Sequence, residues 1–125
     1  MQMKDQVAVV TGAAQGIGLA VSTLLAARGV RVAGWDIDPT HTTAMAGLPK
    51  PGTAISCDIT DLASVEAAHA ATCEQLGVPT ILVNSAGIAG PNAPVETYDV
   101  DAWHQVIDIN LNGTFYVNRV CVLGL

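Results

Sequence analysis

Positive charge is scarce in this chain of 125 residues: five lysines and arginines stand against eleven aspartates and glutamates, and the net charge is −6. A protein that binds nucleic acid neutralises several phosphates with basic side chains, and five are too few for a basic stripe. We therefore expect no nucleic-acid partner. A small anion can still be held by backbone N–H groups, which need no basic side chain.

Long hydrophobic runs are also missing, although half of the residues are apolar. No stretch reaches the ~18–20 apolar residues needed to span a bilayer, and the opening MQMKDQ lacks the pattern of a secretory signal. Short apolar segments with few charges are typical of buried parallel strands. We therefore expect a cytoplasmic protein of the α/β class with no membrane partner.

Cysteine is too sparse for a disulfide framework. The chain has three cysteines and no C-x-x-C pair, at positions 57, 73 and 121. This pattern favours reduced, packed thiols over disulfides or a zinc site. The three histidines lie far apart, at positions 41, 69 and 104, so we expect surface or half-buried structural side chains and no metal site.

Four short apolar runs recur along the chain, over residues 7–10, 30–35, 53–56 and 80–84. Each is bounded by Gly, Pro or Asp, and enough chain for a helix separates each from the next. This is the signature of β-α-β units in a parallel sheet. The last run, TILVN, is expected on an open edge of that sheet.

In most of the segments between these runs, the apolar residues have the spacing that is typical of a helix. The first helix is expected to turn Ile17, Val21, Leu24 and Leu25 inward and to end at Gly29 in a left-handed conformation. Residues 39–52 predict a short helix and a loop. Asp61 is the expected N-cap of a helix that ends near Leu76 and turns inward Leu62, Val65 and Ala68.

A loop over residues 88–96 is followed by a long predicted helix that begins near Tyr98. Its apolar residues form one stripe, namely Trp103, Val106, Ile107, Leu111 and Phe115. Asn110 falls within this stripe, and a buried amide must find hydrogen-bond partners. It can be a satisfied core residue, the site of a helix kink, or a functional residue.

The stretch TGAAQGIG, residues 11–18, joins the first strand to the first helix with three glycines and no charge. Such a turn directs several backbone N–H groups and the positive end of the helix dipole at one point, where a phosphate can bind. No lysine follows the last glycine, which excludes a P-loop. A purely structural glycine turn is the alternative.

Asp36 ends the second strand, eighteen residues after Gly18. A dinucleotide-binding fold places a carboxylate at this point, against the hydroxyls of the adenine ribose. Asp36 could otherwise serve only to form the turn at the end of the strand. The carboxylate and the glycine turn together favour a dinucleotide site.

The spacing Gly-x-x-x-Gly-x-Gly resembles that of the short-chain dehydrogenase/reductase family, and the resemblance runs along the whole chain. It includes Asp58 in CDIT, the stretch NSAG over residues 84–87, and Asn110 in IDINLNGTF. Among its members, the sequence is loosely similar to 3-oxoacyl carrier-protein reductases and sugar or polyol dehydrogenases. The family places Asn where this chain has Ser85, and the shorter side chain weakens that corner of the expected site.

The resemblance implies a Rossmann-type, doubly wound parallel sheet, truncated to about four strands in the order 3-2-1-4 with flanking helices. Residues 1–125 are then expected to be a single NAD-binding domain that is incomplete at its C-terminus, and the full-length form is expected to be a homo-oligomer. Asn110 would be the catalytic residue, ordering a water in a proton relay. The implied cofactor-binding residues are Thr11, Gly12, Gln15, Gly16, Ile17, Gly18, Asp36, Ile37, Asp58, Ile59, Asn84, Ser85, Ala86 and Gly87.

The predicted cofactor is NAD(H) rather than NADP(H). A 2′-phosphate near Asp36 would meet a like charge, which costs ~1 kcal/mol at 4 Å in water and ~4 kcal/mol at an effective dielectric constant of 20. Neither the glycine turn nor Ile37 offers an Arg or Lys to pair with such a phosphate.

The family transfers a proton with a Tyr-x-x-x-Lys pair, which this chain lacks: its tyrosines, at 98 and 116, are followed four residues later by Ala102 and Val120. We therefore expect the cofactor-binding part of an NAD-dependent oxidoreductase that interconverts a small-molecule alcohol and carbonyl, inactive as 125 residues. One alternative is a non-catalytic dinucleotide-binding or interaction module. Another is a methyltransferase of related topology, with S-adenosylmethionine as its ligand.

Overall fold

A computed structural model describes residues 2–125. Its centre is a four-stranded parallel sheet in the order β3-β2-β1-β4, formed by β1 (Val7–Thr11), β2 (Arg31–Asp36), β3 (Thr53–Ser56) and β4 (Ile81–Asn84). The register pairs Thr11 with both Trp35 and Asn84, and Asp36 with Ser56. The carboxyl ends of all four strands therefore meet at one edge of the sheet. The predicted strands, their order and the edge position of β4 are confirmed.

Helices cover both faces of the sheet, as in a doubly wound fold. They are α1 (Gly16–Ala27), α2 (His41–Ala46), α3 (Leu62–Gln75), α4 (Val100–Ile107), a π-helical segment (Asp108–Gly113) and α5 (Thr114–Cys121). Because side chains alternate along β1, Val9 packs into the core beneath α3 and α5, whereas Ala8 and Val10 pack into the core beneath α1 and α2.

The inward face of α1 differs from the predicted one. Ile17 and Leu24 are 76% and 56% exposed, and the buried residues are Gly18, Ser22, Leu25 and Ala26. The buried set has the predicted spacing but is shifted by one residue. The small residues let α1 approach the glycine turn closely, and the Ser22 hydroxyl is satisfied because it donates to the Gly18 carbonyl at 2.8 Å.

Helix α3 begins at its predicted cap, where the Asp61 side chain accepts a hydrogen bond from the Ala63 N–H at 3.1 Å. It also buries Thr72, which the apolar spacing did not indicate. The Thr72 hydroxyl accepts a hydrogen bond from the Trp35 indole N–H at 3.0 Å and donates one to the Ala68 carbonyl at 2.8 Å. A buried indole needs such an acceptor, so α3 is joined to β2 by a polar contact within an apolar layer.

The long predicted helix is present as α4, the π-helical segment and α5, but its apolar stripe does not form the core contact. Trp103, Leu111 and Phe115 are all more than half exposed, and the buried residues are Gly113, Val117 and Cys121. Gly113 lies against Ile59, where a Cβ would come within 2.7 Å of the Ile59 Cδ1 atom. A small residue at this point lets the helix approach the sheet, which spacing alone does not indicate.

The three cysteines are free thiols, as expected, and two of them, Cys57 and Cys121, are fully buried. His41 departs from the prediction: its side chain is 5% exposed, and neither ring nitrogen has a hydrogen-bond partner among residues 2–125. It lies at the start of the short helix α2 and is buried, whereas a surface or half-buried side chain was expected. Within the same residues, no three His, Cys, Asp or Glu side chains group as metal ligands, and no helix has the length and apolarity to cross a membrane.

In the native protein at pH 8, a thiol-specific disulfide reagent is expected to react rapidly with Cys73 alone. Burial raises the pKa of both Cys57 and Cys121 from 9.0 to about 11, and the reactive species is the thiolate. Cys73 is only half-buried, so its labelling rate is the internal reference with which the rates of the two buried thiols are compared. Equal labelling rates for all three thiols, read by mass spectrometry of quenched samples, would contradict the buried positions.

The same two thiols predict a loss of stability in alkali. In the unfolded chain they ionise near pH 9, whereas in the folded protein they keep their protons until about pH 11. The unfolded state therefore binds fewer protons than the native state across this window, and the free energy of unfolding falls as pH rises from 8 to 11. Urea denaturation at pH 8 and at pH 10 measures the difference.

Candidate functional site

A cleft of about 610 Å³ opens at the carboxyl edge of the sheet. Most of the predicted cofactor-binding residues line it: Gly12, Gln15, Gly16, Ile17, Asp36, Ile37, Asp58, Ile59, Ser85, Ala86 and Gly87. Four predicted site residues lie behind or beside its walls instead, namely Thr11, Gly18, Asn84 and Asn110. The fold therefore brings four segments of the chain to one cleft. They are the turns after β1, β3 and β4, and the end of β2.

The turn after β1 presents unused hydrogen-bond donors. The N–H of Gly12 is engaged by the Trp35 carbonyl at 2.9 Å, but the N–H groups of residues 15–18 donate no hydrogen bond within the described chain. They lie at the N-terminus of α1, where backbone donors have no intrahelical acceptor. Gly16 has a φ of +60° and open space beside its Cα atom. Such a turn can hold an anion through backbone donors and the helix dipole.

The other two glycines of this turn are required by close packing. A Cβ atom on Gly12 would lie 2.9 Å from the Ala86 Cα atom, and φ at Gly12 is +65°. A Cβ atom on Gly18 would collide with the Gly12 carbonyl oxygen. Gly18 is buried beneath the turn, so it shapes the cleft without lining it.

The Asp36 carboxylate is half-buried at the edge of the cleft. One oxygen accepts the Ala14 N–H at 3.0 Å and the other accepts the Asp38 N–H at 3.0 Å. The first bond connects the carboxylate to the glycine turn. The second forms the turn at the end of β2, which is the purely structural role that was the alternative for Asp36. A carboxylate has about four acceptor positions, so capacity remains for ligand hydroxyls.

The turn after β3 places Asp58 at the cleft. Its Oδ1 atom accepts hydrogen bonds from the Thr60 N–H at 3.0 Å and the Thr60 hydroxyl at 2.7 Å. Its own N–H donates to the Ser64 hydroxyl at 2.9 Å, which fixes the turn against the first residues of α3. Asp58 is therefore held by its neighbours, with its side chain exposed to solvent.

Thr11 supports the turn after β4 from below. Its side chain is buried, and its hydroxyl accepts the N–H groups of Ser85 and Ala86, both at 3.1 Å. The Asn84 amide is directed elsewhere: its Nδ2 donates to the Asn118 side chain on α5 at 2.9 Å. Thr11 thus sets the position of residues 85–86, which line the cleft, and is not itself part of its surface.

Asn110 is exposed, contrary to the buried amide expected from its place in the apolar stripe. Its side chain nevertheless has both partners, since Nδ2 donates to the Ile88 carbonyl at 2.7 Å and Oδ1 accepts the Ile88 N–H at 2.9 Å. It lies in the π-helical segment, a local distortion that often marks functional positions in helices. The helix therefore changes from α to π geometry at this residue, and the amide anchors the loop after β4.

Seven further residues line the cleft that sequence reasoning did not assign: Trp35, Cys57, Thr60, Ile88, Gln105, Asp108 and Ile109. The first four adjoin predicted site residues and could have been found by that adjacency. The three on α4 and the π-helical segment follow an i, i+3, i+4 spacing. No signal in the sequence indicates which face of that helix meets the cleft.

A family model for short chain dehydrogenases matches residues 6–123. The chain therefore belongs to the short-chain dehydrogenase family, as its motifs indicated, and the methyltransferase alternative is wrong. The loose resemblance to 3-oxoacyl carrier-protein reductases and sugar dehydrogenases is confirmed by the relatives below.

Two curated relatives and one solved structure show the extent of the similarity. The 2-dehydro-3-deoxy-L-rhamnonate dehydrogenase (NAD(+)) of Sphingomonas sp. (strain SKA58) is 41% identical over 92% of this chain and 46% of its own length. The 3-oxoacyl-(acyl-carrier-protein) reductase FabG of Vibrio harveyi is 32% identical over 100% of this chain and 51% of its own. Ligand-free aldohexose dehydrogenase of Thermoplasma acidophilum superposes with a TM-score of 0.84 at 30% identity, over 97% of this chain and 44% of that one. The chain spans about half the length of the curated relatives it matches.

Proposed function

We propose that residues 1–125 form the NAD-binding domain of an oxidoreductase that interconverts an alcohol and a carbonyl. The observation that carries the proposal is the shared cleft: residues 15–17, whose N–H groups are free, and the Asp36 carboxylate line the same opening. The donors suit a pyrophosphate and the carboxylate suits a ribose diol. A bound NAD(H) would supply the hydride acceptor or donor, and the protein would hold and orient it.

The walls formed at the carboxyl edge of the sheet each have a role in this proposal. Asp58 and Ile59 would hold the adenine, and Asp36 with Ile37 would hold its ribose. Residues 84–87 would hold the ribose on the nicotinamide side, with Asn84 and Thr11 acting through the backbone next to them. Asn110 is the proposed catalytic residue and would order a water in a proton relay, while its side chain holds Ile88.

The substrate is proposed to be a small-molecule alcohol or carbonyl, handled in the cytoplasm by a homo-oligomeric full-length protein. Names of two relatives refer to sugar-derived substrates, which supports this class. Neither Tyr98 nor Tyr116 lines the cleft, and neither has a lysine four residues later. Residues 1–125 are therefore expected to bind the dinucleotide without measurable turnover.

A second candidate function is docking of a partner by a catalytically silent module. The exposed apolar side chains of the long helix favour it, because Trp103, Leu111 and Phe115 are each more than half exposed. Both functions allow dinucleotide binding. Sequencing of the complete transcript separates them, because a downstream Tyr-x-x-x-Lys pair supports the enzyme.

Fluorescence titration is expected to show that NADH binds at least about tenfold more tightly than NADPH. The reason is the like charge that a 2′-phosphate would meet at Asp36. In Asp36→Asn the charge is gone and the side chain keeps its size, so the ratio of the two dissociation constants should fall toward one. This titration is also the direct test of the proposed function.

Asp38→Asn is the matched control. Asp38 lies two residues away, its side chain accepts the Thr40 N–H at 2.9 Å, and it does not line the cleft. This variant should keep the wild-type preference for NADH. If the wild-type protein binds NADPH as tightly as NADH, the assigned role of Asp36 is wrong.

A further inference from the structure

A second, smaller pocket of about 240 Å³ opens on the surface at the start of α4. Its walls are the side chains of Val95, Tyr98, Val100 and Trp103, all from one short segment of the chain. It shares no lining residue with the cleft at the carboxyl edge of the sheet. The proposed dinucleotide function therefore gives this pocket no role.

Two aromatic rings form adjacent walls of the pocket. The centroids of Tyr98 and Trp103 are 6.2 Å apart, and the planes of the two rings are at 90°. The Tyr98 hydroxyl lies so close to Gly90 that a Cβ atom there would come within 2.8 Å of it. Trp103 lies in the first turn of α4, where its N–H donates to the Asp99 carbonyl at 3.0 Å. The rings are therefore placed by the backbone beside them and can contact one compact group from two sides.

Acidic side chains are interspersed with the residues that line the pocket. They are Glu96, Asp99 and Asp101, and all three are exposed. Asp99 caps α4 by accepting the Ala102 N–H at 3.0 Å, and none of the three forms an ion pair among residues 2–125. No lysine or arginine occurs from residue 51 to residue 118. The charge around the pocket is therefore negative.

The N-terminus of α4 opposes this charge only in part. A helix dipole is equivalent to about half a positive charge at that end, whereas Asp99 and Asp101 bring two negative charges to the same turn. His104 follows Trp103 in the sequence but does not line the pocket. An anion is consequently disfavoured here.

The chemistry of the walls selects among cations. Valine side chains cannot replace the water of a hydrated metal ion, because they offer it no oxygen or nitrogen ligand. An alkylated ammonium group has an apolar surface and a positive charge, and the negative faces of aromatic rings attract it. The volume, about 240 Å³, is below the ~300–1,000 Å³ of pockets for larger ligands. One short segment supplies all the walls, which suits a single small molecule better than an extended peptide.

We propose that this pocket is a binding site for a small organic cation, in which the rings of Tyr98 and Trp103 contact an alkylated ammonium group. Val95 and Val100 pack against its alkyl substituents. Asp99 and Asp101 supply the negative charge that separates this ligand from a neutral one of the same shape. The site is independent of the cleft and of the dinucleotide proposed for it.

The test compares choline with 3,3-dimethyl-1-butanol, which has the same shape but carries carbon in place of the charged nitrogen. Isothermal titration calorimetry at low salt is expected to show that the wild-type protein binds choline at least about fivefold more tightly. Trp103→Leu keeps an apolar wall but removes the ring, so the ratio of the two dissociation constants should fall toward one. Asp101→Asn keeps both rings and should lower the ratio in part.

Phe115→Leu is the matched control, because Phe115 is an exposed aromatic residue of α5 that does not line the pocket, and the wild-type ratio should persist. Thermal melts establish that each variant is folded. Equal binding of the two compounds by the wild-type protein, or binding of neither, overturns the proposal without use of any variant. A wild-type ratio in folded Trp103→Leu also overturns it, and so does binding of a trimethyllysine peptide by a protein that does not bind choline.

Discussion

Replacing Gly18 with alanine is expected to abolish measurable NADH binding and to destabilise the protein. The new Cβ atom would collide with the Gly12 carbonyl oxygen, which is backbone and has no rotamer by which to move aside. Either α1 must shift away from the sheet or the turn over residues 12–16 must change shape. Overpacking of this kind costs about 1–3 kcal/mol in stability, and misplacing a binding element by ~1 Å costs about a hundredfold in function.

The matched control is Gly47→Ala. Gly47 has a φ of −84° at the C-cap of α2, and a Cβ atom there would come no closer than 3.5 Å to the Thr43 carbonyl. This variant should be unchanged or stabilised by about 0.4–1 kcal/mol, because the unfolded chain loses freedom. Thermal melts and NADH titrations on both variants make the comparison. A Gly18→Ala protein with wild-type melting temperature and affinity would show that the contact with Gly12 does not constrain the turn.

The parallel sheet could be predicted because its signals are local. Each strand is a short apolar run with turn residues at both ends, and the segments between runs are long enough for crossover helices. The N-cap at Asp61 and the left-handed Gly29, with a φ of +84°, likewise depend on neighbouring residues. The glycine turn and Asp36 are not local to each other, and they were assigned to one cleft because their spacing is that of a dinucleotide-binding fold.

The errors share a different cause, which is packing between elements distant in sequence. The face of α1 is set by how closely it approaches the Gly12 carbonyl, and this favours Gly18 over the larger Ile17 at the buried position. Asn110 is likewise placed by its contact with the loop after β4, twenty-two residues away. Apolar periodicity shows which side chains are large and hydrophobic. It does not show where a neighbouring segment leaves room only for a small side chain.

Trp35 contacts both the glycine turn and a helix that is distant in sequence. Its backbone carbonyl accepts the Gly12 N–H at 2.9 Å, and its indole donates to Thr72 on α3. The residue that precedes the Asp36 carboxylate thus holds the first residue of the glycine turn and one helix of the opposite layer. The cleft is therefore supported from below by residues of β1 and β2 that touch little of its surface, and Thr11 is the second of these supports.

Thr11→Val is accordingly expected to lower the free energy of unfolding by about 2 kcal/mol and to weaken NADH binding. Valine matches threonine in shape but removes the oxygen that accepts the N–H groups of Ser85 and Ala86. Each partly buried donor left without an acceptor costs about 1–3 kcal/mol, reduced where water can reach it. The turn that lines the cleft loses its anchor, so affinity should fall together with stability. Urea denaturation and NADH titration measure the two effects.

Two further variants separate the hydroxyl from the rest of the side chain. Thr11→Ser keeps the acceptor oxygen and should restore most of the affinity, although it loses a buried methyl group. Thr23→Val removes an exposed hydroxyl that donates to the Leu19 carbonyl within α1, and should change stability by less than about 0.5 kcal/mol. If Thr11→Val binds NADH as the wild type does, the N–H groups of residues 85–86 have found other acceptors. The turn would then hold its position without the support of β1.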